Sequence, residues 1–153
     1  MSLTGDFHTL DRWTRALGEL ASDKLRFEVA DEMADATLGF VAQEFAEQRD
    51  PFGKPWKPKK RPDGRKILRG KTGRLIQFRK GSVNQSGYRV DAGADYFSFH
   101  QRGTKRMVAR KMLPTGRRLP PRWQSEFRGI YIKRCMHALR GGGARARIGS
   151  RAA

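Results

Sequence analysis

The chain has 153 residues and a formal net charge of +18, a size suited to one domain and a charge suited to a polyanionic partner. Its single cysteine, Cys135, excludes an intrachain disulfide. Nothing resembles a signal peptide, and no run approaches the ~18 apolar residues of a membrane span, so a reducing cytoplasm is the expected setting.

Residues 1–5 read as a loose start. From Phe7 apolar residues fall at helical spacing, at Leu10, Trp13, Leu17 and Leu20, with Thr9 as the expected N-cap and Asp11 in the first turn. Ser22 either caps a second helix or marks a bend. Leu25, Val29, Met33, Ala36, Phe40, Val41 and Phe45 then form one apolar stripe. Asp23, Glu28, Asp31, Asp35 and Glu44 are assigned to the opposite, polar face. The helix is expected to end near Arg49. At Asp50-Pro51-Phe52-Gly53-Lys54-Pro55-Trp56 it stops, because Pro51 disfavours helix at Asp50 and Gly53 and Pro55 enforce a turn. Phe52 and Trp56 are expected to tuck back onto the fold.

Residues 57–66 form a proline-rich basic loop containing Lys57, Lys59, Lys60 and Arg61. Such a run is either a solvated loop or a set of phosphate contacts. The following Ile67-Leu68 is an apolar anchor before a glycine turn. Gly70-Lys71-Thr72 has the end of a phosphate-binding loop, but Arg65 stands where that loop needs its first glycine, and no apolar strand precedes it. Residues 75–83 and 88–92 read as strands of an antiparallel hairpin turned at Gln85-Ser86-Gly87.

Residues 96–114 carry the sharpest change of character in the chain. Tyr96, Phe97 and Phe99 open it as a short helix or strand expected to pack on the N-terminal helix. Arg102, Lys105, Arg106, Arg110 and Lys111 follow on a loop, and Met112 and Leu113 are expected to anchor the return. A loop pinned at both ends is a good place for function. The last helix starts at Leu119-Pro120-Pro121, with Pro121 where a missing N–H is harmless. Trp123, Phe127, Ile130, Tyr131, Cys135, Ala138 and Leu139 share one side of it. Gly141, Gly142 and Gly143 are expected to end it, leaving a flexible basic tail over residues 141–153.

These readings give one α+β domain over residues 1–140. A long N-terminal amphipathic helix and a C-terminal helix pack on a small antiparallel sheet, with long basic loops. Charge divides the domain. Residues 1–50 carry 5 basic and 11 acidic residues, and residues 51–153 carry 28 and 4. Either the acidic part of one subunit meets the basic part of the next, or an acidic helix face lies beside a nucleic-acid face.

No arrangement points to catalysis. His8, His100 and His137 have no metal-ligand spacing with one another or with Cys135. Only Asp63, Asp91, Asp95 and Glu126 supply carboxylates after residue 50, and they do not cluster as a metal-dependent nuclease requires. No enzyme, metal or cofactor is expected.

Four segments occur in a telling order: Asp50, Pro51, Gly53 and Trp56; Ile67, Leu68, Thr72, Gly73 and Leu75; Tyr96, His100, Gln101 and Gly103; Ala109, Arg110 and Leu113. Over about residues 25–140 this order resembles the phage virion morphogenesis family, the Mu-like tail-completion or neck proteins. Phe97 stands where a small residue is usual after the tyrosine, and Lys111 where a proline is usual after the arginine. The resemblance implies a structural part of the head-to-tail interface, at the neck or tail top of a virion. It implies a homo-oligomeric ring, six-fold favoured, bordered by portal or adaptor and tail proteins. It implies no cofactor and no catalysis, and the lack of a long apolar run leaves no membrane partner expected. Lys57, Lys59, Lys60, Arg61, Arg102, Lys105, Arg106, Arg110 and Lys111 are then expected to contact a subunit, a partner or packaged DNA without base readout. Trp56, Thr72, Gly73, Tyr96, His100, Gln101 and Gly103 are expected to be structural. The alternative is a stand-alone, non-specific nucleic-acid-binding protein.

Overall fold

The computed structural model describes residues 8–69, 72–116 and 118–144. The loose start, Phe7, Gly70, Lys71 and the tail beyond Ala144 lie outside the described residues, as do the side chains of Leu10 and Trp13. The order of elements is α1 (His8–Leu20), α2 (Asp23–Glu47), a one-turn 3-10 segment (Arg74–Ile76), β1 (Phe78–Asn84), β2 (Gly87–Ala92), α3 (Phe97–Arg102) and α4 (Pro121–Ala144). The fold is α+β.

Helix α2 is the spine. Ser22 does cap it, its hydroxyl accepting from the Leu25 amide at 3.2 Å. The helix closes at Gln48, which takes a left-handed conformation (φ 56°), slightly before the expected end at Arg49. Both strands and α4 pack against α2, and α1 packs on α4. Thr9 lies within α1 rather than before it, so it is not the cap.

The strands pair antiparallel from Phe78↔Ala92 to Asn84↔Gly87, with the register shifting between Lys80 and Val83. The first strand begins at Phe78 rather than Leu75. Gly73, at φ 66°, turns the chain into a 3-10 segment that drops Leu75 into the core, which an extended start would not do.

Aromatic rings fill the C-terminal half of the α2 face. Phe40 stacks on Trp123 at 5.1 Å, Phe45 meets Trp56 edge-on at 5.2 Å, and Phe78 meets Phe97 edge-on at 5.6 Å. Truncating such a buried ring to alanine costs about 3–5 kcal/mol. Tyr88 adds a polar tie, its hydroxyl 2.8 Å from that of Thr37 in α2.

Four further expectations need correction. Tyr96 and Phe99 do not pack on the N-terminal helix; they are 41% and 56% exposed. Helix α3 has six residues, and its inward face takes Phe97 and Gln101, one turn apart, so Phe99 points away. Phe52 is exposed at the tip of its turn, while Trp56 is buried. The three glycines do not end α4, which runs through them to Ala144. Glycine costs about 1 kcal/mol per helical position without blocking the ladder sterically, so a helix already formed can propagate. The fourth correction is Glu44. Expected on the polar face, it is buried at 8% exposure against α4.

Glu44 Oε1 accepts from the Trp123 indole N–H at 3.2 Å, and Oε2 has no partner among the described residues. Burial pushes the carboxyl up to about 8, against the weaker opposing effect of the Trp123 hydrogen bond.

The rest of the acidic side of α2 is matched within the chain. Lys80 on β1 bridges Asp31 and Asp35, at 2.8 and 2.6 Å. Arg134 on α4 reaches Glu32 at 2.6 Å and Glu28 at 3.4 Å, and Lys133 joins Glu32 at 3.2 Å.

Candidate functional site

The two basic loops, separate in sequence, meet beyond the C-terminal end of α2. Four residues hold them, and each belongs to one of the motifs quoted above.

The first is Trp56. Asp50 starts its segment by folding the turn around its own carboxylate, which accepts from the amides of Phe52 (3.0 Å) and Lys54 (2.8 Å). Gly53, at φ 84°, completes that turn. The chain then returns to α2, with the Trp56 amide donating to the Gln48 carbonyl at 2.9 Å. The indole N–H, at the far side of a buried ring, donates to the Lys111 carbonyl at 2.9 Å.

The second is Gln101, buried at the end of α3. Its Oε1 accepts from the Met112 and Leu113 amides at 2.7 and 3.2 Å, and its Nε2 donates to the Leu113 carbonyl at 2.5 Å. A side-chain amide thus copies a strand edge for a segment that has no strand neighbour. Met112 is fully buried beside it.

The third is Gly103, at φ 78°. A Cβ there would stand 2.8 Å from the Ala109 amide nitrogen and 3.0 Å from the Met107 carbonyl. Only glycine permits both the conformation and the close return of the loop. Thr104 then closes the tip, exchanging backbone bonds with Met107 at 2.9 and 3.2 Å.

The fourth is Arg110. Its amide donates to the His100 carbonyl at 2.8 Å. Its guanidinium crosses to the other loop, Nε donating to the Lys57 carbonyl at 2.9 Å and Nη2 to the Pro58 carbonyl at 3.0 Å. A planar fork suits two successive carbonyls in a way a lysine ammonium does not.

Between the joined loops lies a cleft of about 270 Å³. Lys59, Lys60 and Arg61 line it from one loop, Arg106 and Arg110 from the other, with Met107 and Val108 as its apolar part. The structure therefore brings together five of the nine basic residues singled out above. Lys57, Lys105 and Lys111 lie exposed on the same loops, and Arg102 lies exposed at the end of α3 where its loop begins, rather than on the loop itself. The five are not equivalent. Arg110 is committed to carbonyls. Lys59 is committed to the Asp63 carboxylate and the Arg65 carbonyl, and that ammonium holds Asp63 below the usual carboxylate range. Among the described residues, no carboxylate pairs with Lys60, Arg61 or Arg106.

A second cavity, of about 300 Å³, lies behind Arg110 and Lys59 and is lined by Leu68, Leu75, Tyr96 and His100 among others. Burial first, and the Arg110 charge second, hold His100 below the usual histidine range. Its Nδ1 is buried with no hydrogen-bond partner among the described residues, and Tyr96 meets its ring edge-on at 5.8 Å. Thr72 is exposed, and Gly73 serves the turn already described.

Among the described residues, no group of three or more His, Cys, Asp or Glu is placed to hold a metal, and no helix is long and apolar enough to cross a membrane. Asp91 is taken up by Arg89, at 2.6 Å.

The family model described as the phage virion morphogenesis family matches residues 6–126. The chain belongs to that family. No curated protein and no solved structure shows a significant match to it. As a phage virion morphogenesis protein, the chain has a role in building the phage particle. Trp56, Gln101, Gly103 and Arg110 all lie within the matched range, and all fix the path of residues 103–113.

Proposed function

We propose that this phage virion morphogenesis protein is a structural subunit of the head-to-tail interface. In this reading it is a neck or tail-completion part that closes into a ring, six-fold favoured, and helps join head and tail around the DNA channel. Portal or adaptor proteins would adjoin it on one side and tail proteins on the other. The observation that carries the reading is the braced basic edge. Trp56, Gln101 and Arg110 by hydrogen bonds, and Gly103 by its backbone conformation, hold two cationic loops in one fixed arrangement. A fixed, exposed edge suits assembly, because ordering it beforehand lowers the entropy lost on association. The acidic α2 face is paired within the chain by Lys80, Lys133 and Arg134, whereas Lys60, Arg61 and Arg106 of the basic edge have no carboxylate partner among the described residues.

Particles made without the protein should show full heads and detached or defective tails. Normally joined virions from such a deletion would overturn the proposal. Reversing the charge at Arg102, Lys105 and Arg106 together should block assembly while leaving the subunit folded, as read by circular dichroism and particle microscopy.

A further inference from the structure

The cleft between the loops has a partner of definite chemistry. We propose that it grips the sugar–phosphate backbone of duplex DNA through Lys60, Arg61 and Arg106, without reading bases. This rests on the assembly reading only in that a phage particle supplies the DNA.

The cations of the cleft differ in how free they are. Arg110 and Lys59 line it but are spent on carbonyls and on Asp63. They fix its walls. Lys60, Arg61 and Arg106 are exposed along it, Lys57, Lys105 and Lys111 are exposed on the same two loops, and Arg102 is exposed at the end of α3 where the second loop begins. Among the described residues none of these seven has an ion-pair partner. So many like charges on neighbouring loops repel one another, and a polyanion relieves that repulsion.

Two polyanions could do so, an acidic protein surface or a nucleic acid. The composition favours the second. The centres of protein interfaces are depleted of lysine and other charges and enriched in aromatic anchors. This cleft has Met107 and Val108 as its apolar part and no aromatic lining. Contacts to nucleic-acid backbones are instead strongly positive and need no apolar anchor. The same lack of aromatic lining separates duplex from single strand, because single-strand sites stack bases on rings. Tyr96 lines the other cavity, not this one. Base readout would require a helix or a two-stranded ribbon in the major groove. The cleft is built from irregular loops, and the hairpin contributes nothing to its lining.

Three phosphate contacts have a measurable signature. Each releases condensed counterions, so losing three lowers the slope of log affinity against log salt by about 2.7. Between about 50 and 200 mM salt that difference amounts to about 40-fold in affinity.

The test is fluorescence anisotropy of the full chain with short labelled duplexes of two unrelated sequences, across a salt series. The variant is Lys60→Ala, Arg61→Ala and Arg106→Ala together. The control removes the same charge elsewhere, at exposed Lys24, Arg128 and Arg140. Thermal melts by circular dichroism confirm that both are folded. The cleft variant should show the reduced slope on both sequences alike, and the control should keep a slope close to the parent's. Equal losses in both variants would overturn the proposal, since net charge alone would explain them. Displacement of the duplex by polyglutamate at equal charge concentration would overturn it in favour of an acidic protein surface. Tighter binding of single strands than of duplex would overturn the choice of duplex. Joined virions from the deletion would defeat the assembly reading and leave this measurement standing.

Discussion

Replacing Glu44 with glutamine should raise stability above neutral pH and remove a pH dependence that the parent shows. The parent carboxyl sits at about 8, against an ordinary value of 4.5. Its folded pKa is raised, so the folded state binds a proton that the unfolded state has already released between those two values. The contribution is fully present below pH 4.5 and is lost as pH rises through about 8. At about 1.4 kcal/mol per pKa unit, the ceiling on that loss is about 5 kcal/mol. It is a ceiling because any opening of the α2–α4 seam that lets water reach Oε2 relieves the penalty. In the Glu44→Gln variant the side-chain amide keeps an oxygen for the Trp123 indole N–H and has no charge to lose. The assay is urea unfolding of both proteins at a series of pH values between about 5 and 8.5, compared as differences in unfolding free energy. Taking differences cancels His100, whose lowered pKa works in the opposite sense, adding stability as pH rises. The variant should gain on the parent steadily with pH, with the curves closest at the acid end. Parallel curves, or a variant losing ground at high pH, would refute a protonated Glu44 in the seam.

Arg110→Lys keeps the charge and removes the fork that holds the carbonyls of Lys57 and Pro58. It should cost about 1–3 kcal/mol and speed proteolytic nicking within residues 57–66, with little change in retention on a cation exchanger. Gly103→Ala should destabilise by more than about 1 kcal/mol, because φ 78° and the Ala109 amide at 2.8 Å both oppose a Cβ; a melting temperature equal to the parent's would contradict that geometry. Trp56→Phe keeps a ring against Phe45 but leaves the Lys111 carbonyl without its donor. A loss of about 1–3 kcal/mol in chemical unfolding is expected.

Much of the scaffold is legible in spacing alone. Period and capping chemistry are local, so the α2 stripe, the Ser22 cap and the hairpin turn at Gln85 and Ser86 emerge directly from the chain. Glu44 escapes a reading that gives residue type more weight than position. It stands four residues after Phe40 and three after Val41, inside the stripe, and that spacing is the available signal. Tyr96 and Phe99 show the opposite error, since an aromatic run reads as buried when a six-residue helix has only one inward face. The basic residues of the candidate site are visible as two runs. Their division into free cations and braces is only partly visible: Lys59 finds Asp63 and the Arg65 carbonyl within six residues, but Arg110 depends on carbonyls more than 50 residues away in the chain. The reach of Arg110 to Lys57 and Pro58 has no local mark beyond the motif that contains it.

The Arg110 brace has a further consequence. It closes the loops with neutral carbonyls, so it adds a positive charge to an edge that is already repulsive and supplies no counter-charge. Closure therefore works against an electrostatic load that dissolved ions screen within about 10 Å at 0.1 M. Added salt should then have two opposite effects on the same few residues. It relaxes the repulsion and makes the loops quieter, and it weakens their hold on any anionic partner. The edge is least at ease when the protein is alone in dilute buffer, and the relief that salt brings there is the relief that a binding partner would bring.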